Sequence, residues 1–203
     1  AETGELAVEL ARGSSRLRVV GLDTDADNIA EARQHALAAG VHGPRCSFVQ
    51  IKSLETLPLP SHVANLVISQ TTMSGTLSTP TAELNRILQP GGLLELTYDK
   101  RKVDQELIRR RKSQFNDDAF SLLVEQGDKN WKGIGARKAP LSGGADWTHM
   151  YGDAANAAYA GETLGGAKSV DDLQTAWLGK PGPRYQTDRQ NRKSAPLFAG
   201  GRL

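Results

Sequence analysis

Sulfur is nearly missing from this chain of 203 residues: its single cysteine, Cys46, leaves no internal disulfide framework and no cysteine-based zinc site. Cys46 falls in an apolar strand pattern, which reads as a core thiol rather than a nucleophile. No stretch approaches the roughly 18 apolar residues that a membrane-spanning helix needs. The first 25 residues lack the basic, apolar and small-residue order of a signal peptide. Since the chain starts with Ala1 inside a motif, its N-terminus is expected to lie further upstream. The four histidines, at 35, 42, 62 and 149, show no metal-ligand spacing, so surface or structural roles are expected. Charge of one sign is also scarce. The net charge is +2, with 8 Lys/Arg and 11 Asp/Glu in residues 1–100 and 17 and 12 in residues 101–203. The densest basic run, Arg109-Arg110-Arg111-Lys112, has no interleaved aromatics, which favours a solvated helix face over a nucleic-acid patch.

What is present is an ordinary globular composition, 38% hydrophobic and 24% charged, neither disordered nor membrane-like. Residues 5–12 read as a short helix carrying Leu6, Val8 and Leu10. Residues 17–22 form a β-rich run ending at Asp23, and Asp25 is placed to cap a helix that Gly40 stops. Residues 47–51 and 63–69 are further apolar strands, the latter apolar enough to be buried on both sheet faces. Ser78-Thr79-Pro80 opens a helix with a hydroxyl cap and a first-turn proline, and that helix ends at Gln89-Pro90-Gly91-Gly92 before a strand over 93–98. Strand and helix in alternation argue for a parallel sheet covered by helices. A charged helix over 103–114 follows. Then come two strands, 120–125 and 131–137, joined by residues 126–130 as a hairpin. Past Pro140 the periodicity fades, which sets expected domains of 1–139 and 140–203.

Three features point to one ligand site. Thr3-Gly4-Glu5-Leu6 begins a helix, where glycine admits a close ligand and free N–H groups favour polar or anionic groups. Asp23 ends a strand 19 residues after Gly4, and a carboxylate there can accept both hydroxyls of a ribose. The third feature is the helix, turn and strand over residues 80–98. Each has a plainer explanation as turn, cap or loop chemistry, and Asp25 competes with Asp23 for the ligand role.

Read in order, these segments resemble the class I S-adenosylmethionine-dependent methyltransferases. Thr3-Gly4-Glu5-Leu6-Ala7 looks like the tail of the family's glycine motif, and Val19-Val20-Gly21-Leu22-Asp23 resembles its ribose motif. Phe48-Val49-Gln50 with Leu57-Pro58-Leu59-Pro60 is similar to the adenine-side segment. Residues 64–69 and 84–92 fit its fourth strand and the helix and turn before its fifth. The resemblance covers about residues 1–138 and implies a Rossmann-like α/β sheet with a C-terminal antiparallel hairpin. It implies S-adenosylmethionine as cofactor, held by Thr3, Gly4, Asp23, Lys52, Ser53, Leu54 and Ser69; that cofactor points to the cytoplasm, whereas propellers of the kind resembled below are frequently exported. The acceptor side falls in residues 70–76, and neither catalytic residues nor the acceptor can be named, since methyl transfer needs mainly proximity and alignment. Two departures stand out. The family's opening strand, central in its sheet, has no counterpart here, and Lys52 stands where an acid usually meets the adenine amino group. Lysine cannot accept that hydrogen bond.

Residues 146–153 with Asn156, 173–177 and 195–203 resemble the start of a quinoprotein (PQQ)-like β-propeller, too short to close one, so an irregular or β tail is expected. Two other functions fit parts of the pattern. One is a non-catalytic methyltransferase-like scaffold or sensor beside a propeller, favoured by Lys52. The other is an NAD-dependent oxidoreductase, disfavoured by the terminal hairpin and the Pro90-Gly91-Gly92 turn.

Overall fold

In the computed structural model the described residues are 3–69, 79–99, 101, 103–123, 126–127, 131–140, 142–157, 159–163 and 168–172. Contacts divide the chain into two units, Ala1–Pro58 and Leu59–Leu203.

The first unit is built from α1 (Glu5–Gly13), β1 (Val19–Asp23), α2 (Ala26–Ala38) and β2 (Cys46–Gln50). β1 and β2 pair in parallel from Val19 opposite Cys46 to Asp23 opposite Gln50. A parallel pair needs a crossover, and α2 supplies it. The Asp25 carboxylate caps α2 by accepting from Asp27 N and Asn28 N, and Gly40 follows the helix at φ 68°, the left-handed turn that ends it. Both helices bury small and branched residues against the strands. The core is Val8, Ala11, Ile29, Ala32, Ala36, Val41, Cys46 and Phe48. Cys46 is fully buried there, and burial pushes its thiol pKa up.

The second unit holds β3 (Ala64–Ser69), α3 (Thr81–Ile87), β4 (Leu88–Asp99), α4 (Gln105–Gln114), β5 (Phe120–Leu122), β6 (Gln126–Gly127) and β7 (Trp131–Lys138). Its sheet runs β3-β4-β7-β5, with β6 also on β7. The β3–β4 pairing is parallel and the pairings of β7 are antiparallel. Period-two alternation puts Leu94, Leu96, Tyr98, Ile134 and Ala136 into a core with Ile108, Phe115 and Phe120. Phe115 and Phe120 meet edge to face at 5.5 Å.

Three local expectations change. The helix α3 has Pro80 at its N-cap position, so among the described residues no hydroxyl caps it, and Ser78 lies outside them. The strand expected from residue 93 begins at Leu88, because the Gln89-Pro90-Gly91-Gly92 turn continues the extended chain with one register shift against β3. Gln126 and Gly127, expected in the connection, join the sheet opposite Gly133 and Lys132, while residues 128–130 lie outside the described residues. Within the basic run, Arg109 and Arg110 are exposed while Arg111 is buried, and desolvation lowers its pKa.

From residue 142 to residue 172 the described chain is irregular. It has a turn in which Thr148 N and His149 N donate to Gly152 O, a loop capped by Asp153 and a short 3-10 turn at Val170–Asp172. Residues 173–203, with two of the three propeller-like segments, lie outside the described residues.

Candidate ligand site at the strand ends of the first unit

Asp23 is the last residue of β1. Its Oδ1 accepts from Asp25 N at 2.9 Å and its Oδ2 from Asn28 Nδ2 at 3.3 Å. Both contacts come from the turn into α2, so the helix that follows the strand also aims the strand's terminal carboxylate. Asp25 accepts at its Oδ1 from the first-turn N–H groups of Asp27 and Asn28, at 2.8 Å and 3.3 Å, as a helix cap does. Asn28 carries no signal in the sequence beyond its place in the first helical turn, and sequence reasoning missed it.

The segment after β2 lies beside this carboxylate. Ile51 N donates to Asp23 O at 2.9 Å, extending the ladder by one bond, and Gln50 Nε2 donates to Thr24 O at 3.3 Å. Lys52 and Ser53 therefore emerge next to Asp23 at the carboxyl ends of two parallel strands, where open α/β sheets bind ligands. Both are exposed, and Leu54 is half-buried. Ser53 Oγ accepts from Glu55 N at 3.0 Å, closing a small turn.

Thr3 and Gly4 sit lower. Gly4 has φ 74°, and a Cβ on it would lie 2.6 Å from Ala32 Cβ and 3.1 Å from the Phe48 ring. Phe48 pairs with Gly21, two residues short of Asp23. The bare Cα serves the close approach of α1 to α2 and β2. Thr3 O accepts from His35 Nδ1 at 2.7 Å, which ties the start of α1 to α2. Arg33 donates Nε and Nη2 to Phe48 O, fastening α2 to β2. Ser69, the seventh expected residue, ends β3 in the second unit, half-buried and opposite Leu96. The acceptor-side residues 70–76 lie outside the described residues.

Among the described residues no cluster of His, Cys, Asp and Glu could hold a metal ion. Among them, too, no helix is long and apolar enough to cross a membrane.

Residues 1–92 match the methyltransferase domain family. No curated protein matches the chain by sequence. Among solved structures, a SAM-dependent methyltransferase from Aquifex aeolicus is similar over 68% of this chain and 78% of its own, at 16% identity and a TM-score of 0.57. A putative S-adenosyl-L-methionine-dependent methyltransferase from Methanococcus maripaludis covers 69% and 75% at 18% identity and 0.57. The [4+2]-cyclase SpnF covers 69% and 73% at 14% identity and 0.55. At these identities the likeness concerns the fold. Residues 1–92 are thus similar to methyltransferase domains, and the chain shares the α/β fold of the solved structures.

Proposed function

We propose that this domain binds S-adenosylmethionine at the strand ends of the first unit and passes its methyl group to an acceptor whose chemistry the chain leaves open. The observation that carries the reading is the oriented Asp23 carboxylate. A vicinal diol needs two acceptor oxygens on a rigid support, and Asp25 N and Asn28 supply that rigidity. The fit is good on the ribose side and poorer on the adenine side. Lys52 is an exposed cation and offers no acceptor for an amino group. In this reading Ser53 and Leu54 border the base, and Thr3 and Gly4 lie at the cofactor-side start of α1. The bound sulfonium supplies an activated methyl group, and the chain's own part is to hold and align it. The cytoplasm, where such a cofactor is used, is the proposed location.

Calorimetric titration of the chain with S-adenosylmethionine and S-adenosylhomocysteine tests this. Micromolar binding is expected, weakened ten- to a hundredfold by Asp23→Ala, about 1.4–2.7 kcal/mol. Unchanged affinity in that variant would remove Asp23 from the site.

Lys52 favours a second reading, a methyltransferase-like module that serves as scaffold or sensor. The fold does not decide between them, since a structure with the same fold is named for a [4+2]-cyclase. In that case a folded chain shows no binding of either compound. We propose further that residues 140–203 lead into a quinoprotein-like propeller, on the resemblance of residues 146–153, 173–177 and 195–203.

A further inference from the structure

The loops that lead into β1 and β2 lie at the amino ends of these two strands, away from Asp23 and Gln50 at the carboxyl ends. They are joined. Val19 N donates to Arg45 O at 2.8 Å, and Arg45 Nη2 donates to Ser14 O at 2.7 Å. The first loop is wound around Ser14, whose Oγ accepts from Arg16 N and whose O accepts from Leu17 N, both at 3.3 Å. On this base Arg16 and Arg18 are exposed. Arg18 Nη1 rests against Ser15 O at 3.4 Å and Leu17 O at 3.3 Å, while its Nε and Nη2 make no bond among the described residues.

The charge here has one sign. Residues 10–22 and 32–51 contain no Asp or Glu, and among the described residues no carboxylate pairs with Arg16, Arg18 or Arg45. Arg12, in the last turn of α1, meets Glu9 at 3.4 Å with both side chains well exposed. Asp23, Asp25 and Asp27 lie at the other end of this unit. The cations are arginines throughout, for no lysine occurs before Lys52. A guanidinium presents a rigid fork of donors that matches the oxygens of a phosphate. Three such forks on two joined loops suit a row of anions better than a single ion. Residues 13–18 and 39–45 hold no Phe, Tyr or Trp, so single-stranded bases would find nothing to stack on. A protein partner would need a large apolar or aromatic anchor at the centre, and between Arg16 and Arg18 stands only Leu17, 38% exposed.

We propose that Arg16, Arg18 and Arg45 form a docking surface for the phosphate backbone of a nucleic-acid duplex. Such a surface holds its partner by charge and carries no base specificity, since backbone contacts give register but not sequence. It lies at the strand ends opposite Asp23, so it anchors a partner without occupying the candidate ligand site. It is independent of the function proposed above. It is also distinct from the 109–112 run, where Arg109 pairs with Glu106 at 3.2 Å and Arg111 is buried. Docking neutralises about three phosphates and releases their counterions, so the logarithm of the association constant should fall against log salt with a slope of about −2.7.

Fluorescence anisotropy of the full chain with a labelled DNA duplex of about 20 base pairs, and with the matching RNA duplex, tests this between about 50 and 200 mM salt. Affinity should fall about fortyfold over that range, and the duplex that binds tighter identifies the source of the phosphates. Arg16→Gln combined with Arg18→Gln should flatten the slope to about −0.9, while Arg109→Gln combined with Arg110→Gln should leave it unchanged. A slope that the first pair does not alter would overturn the proposal. So would the absence of binding to either duplex, or polyglutamate binding as tightly as the duplexes. Should the Arg16 and Arg18 variant fail to fold, nitrogen-15 NMR of the native chain decides it. Duplex-induced shifts at the amides of residues 14–19 and 45–46 support the surface, and shifts confined to other residues refute it.

Discussion

Gly4 touches Ala32 and Phe48 through a bare Cα, with φ 74°. A side chain there meets two penalties, backbone strain in the left-handed region and overlap with α2. Gly4→Ala is therefore expected to cost about 2–4 kcal/mol, read as a lowered denaturation midpoint, while Gly13→Ala, which meets nothing within 4 Å, changes it little. The glycine was legible in the sequence as a helix-start residue, but its reason was not, because Ala32 lies 28 positions away. Asp23 differs. Its place at the end of a strand was legible, whereas the Asn28 contact to it was not, because nothing in the sequence marks Asn28 beyond its place in the first helical turn.

At the level of the element, β4 shows what alternation leaves on the far side of a core. Leu94, Leu96 and Tyr98 are buried on one face, while Glu95 projects from the other over the glycines of β7. A Cβ at Gly133 would collide with Glu95 Oε1, and one at Gly135 would lie 3.1 Å from Oε2, so the two glycines clear a slot for this side chain. Desolvation in that slot raises the Glu95 pKa. The folded chain thus favours the protonated form. Its contribution is full below the unfolded value near ~4.3 and is lost as pH rises through the folded value. Glu95→Gln should raise the melting temperature at pH 7, with the gain shrinking toward pH 4. A gain that grows toward acid would show the carboxylate to be favourably paired. Glu95 was legible as a strand residue, whereas the Gly133 and Gly135 slot needed the antiparallel register.

Over the whole molecule, among the described residues β1 pairs only with β2, and β3 pairs on one side only, with β4. The contact division at Pro58 falls between the two sheets. A two-stranded sheet is marginal in water, whereas β4 and β7 are paired on both sides. Native-state hydrogen exchange should therefore be faster for the amides of β1 and β2 than for those of β4 and β7. Equal protection would mean that the first unit draws its stability from contacts beyond its own sheet.

The sequence by itself determined the succession of helices and strands, the antiparallel finish and the Asp25 cap. Each of these is set by periodicity, capping or turn chemistry within a few residues. The tertiary structure alone decided why Gly4 is bare, which residues clear space for Glu95, and how Arg45 meets Ser14. It also decided that the sheet divides in two. Those outcomes depend on backbone register and on contacts between residues tens of positions apart, and no local pattern records them.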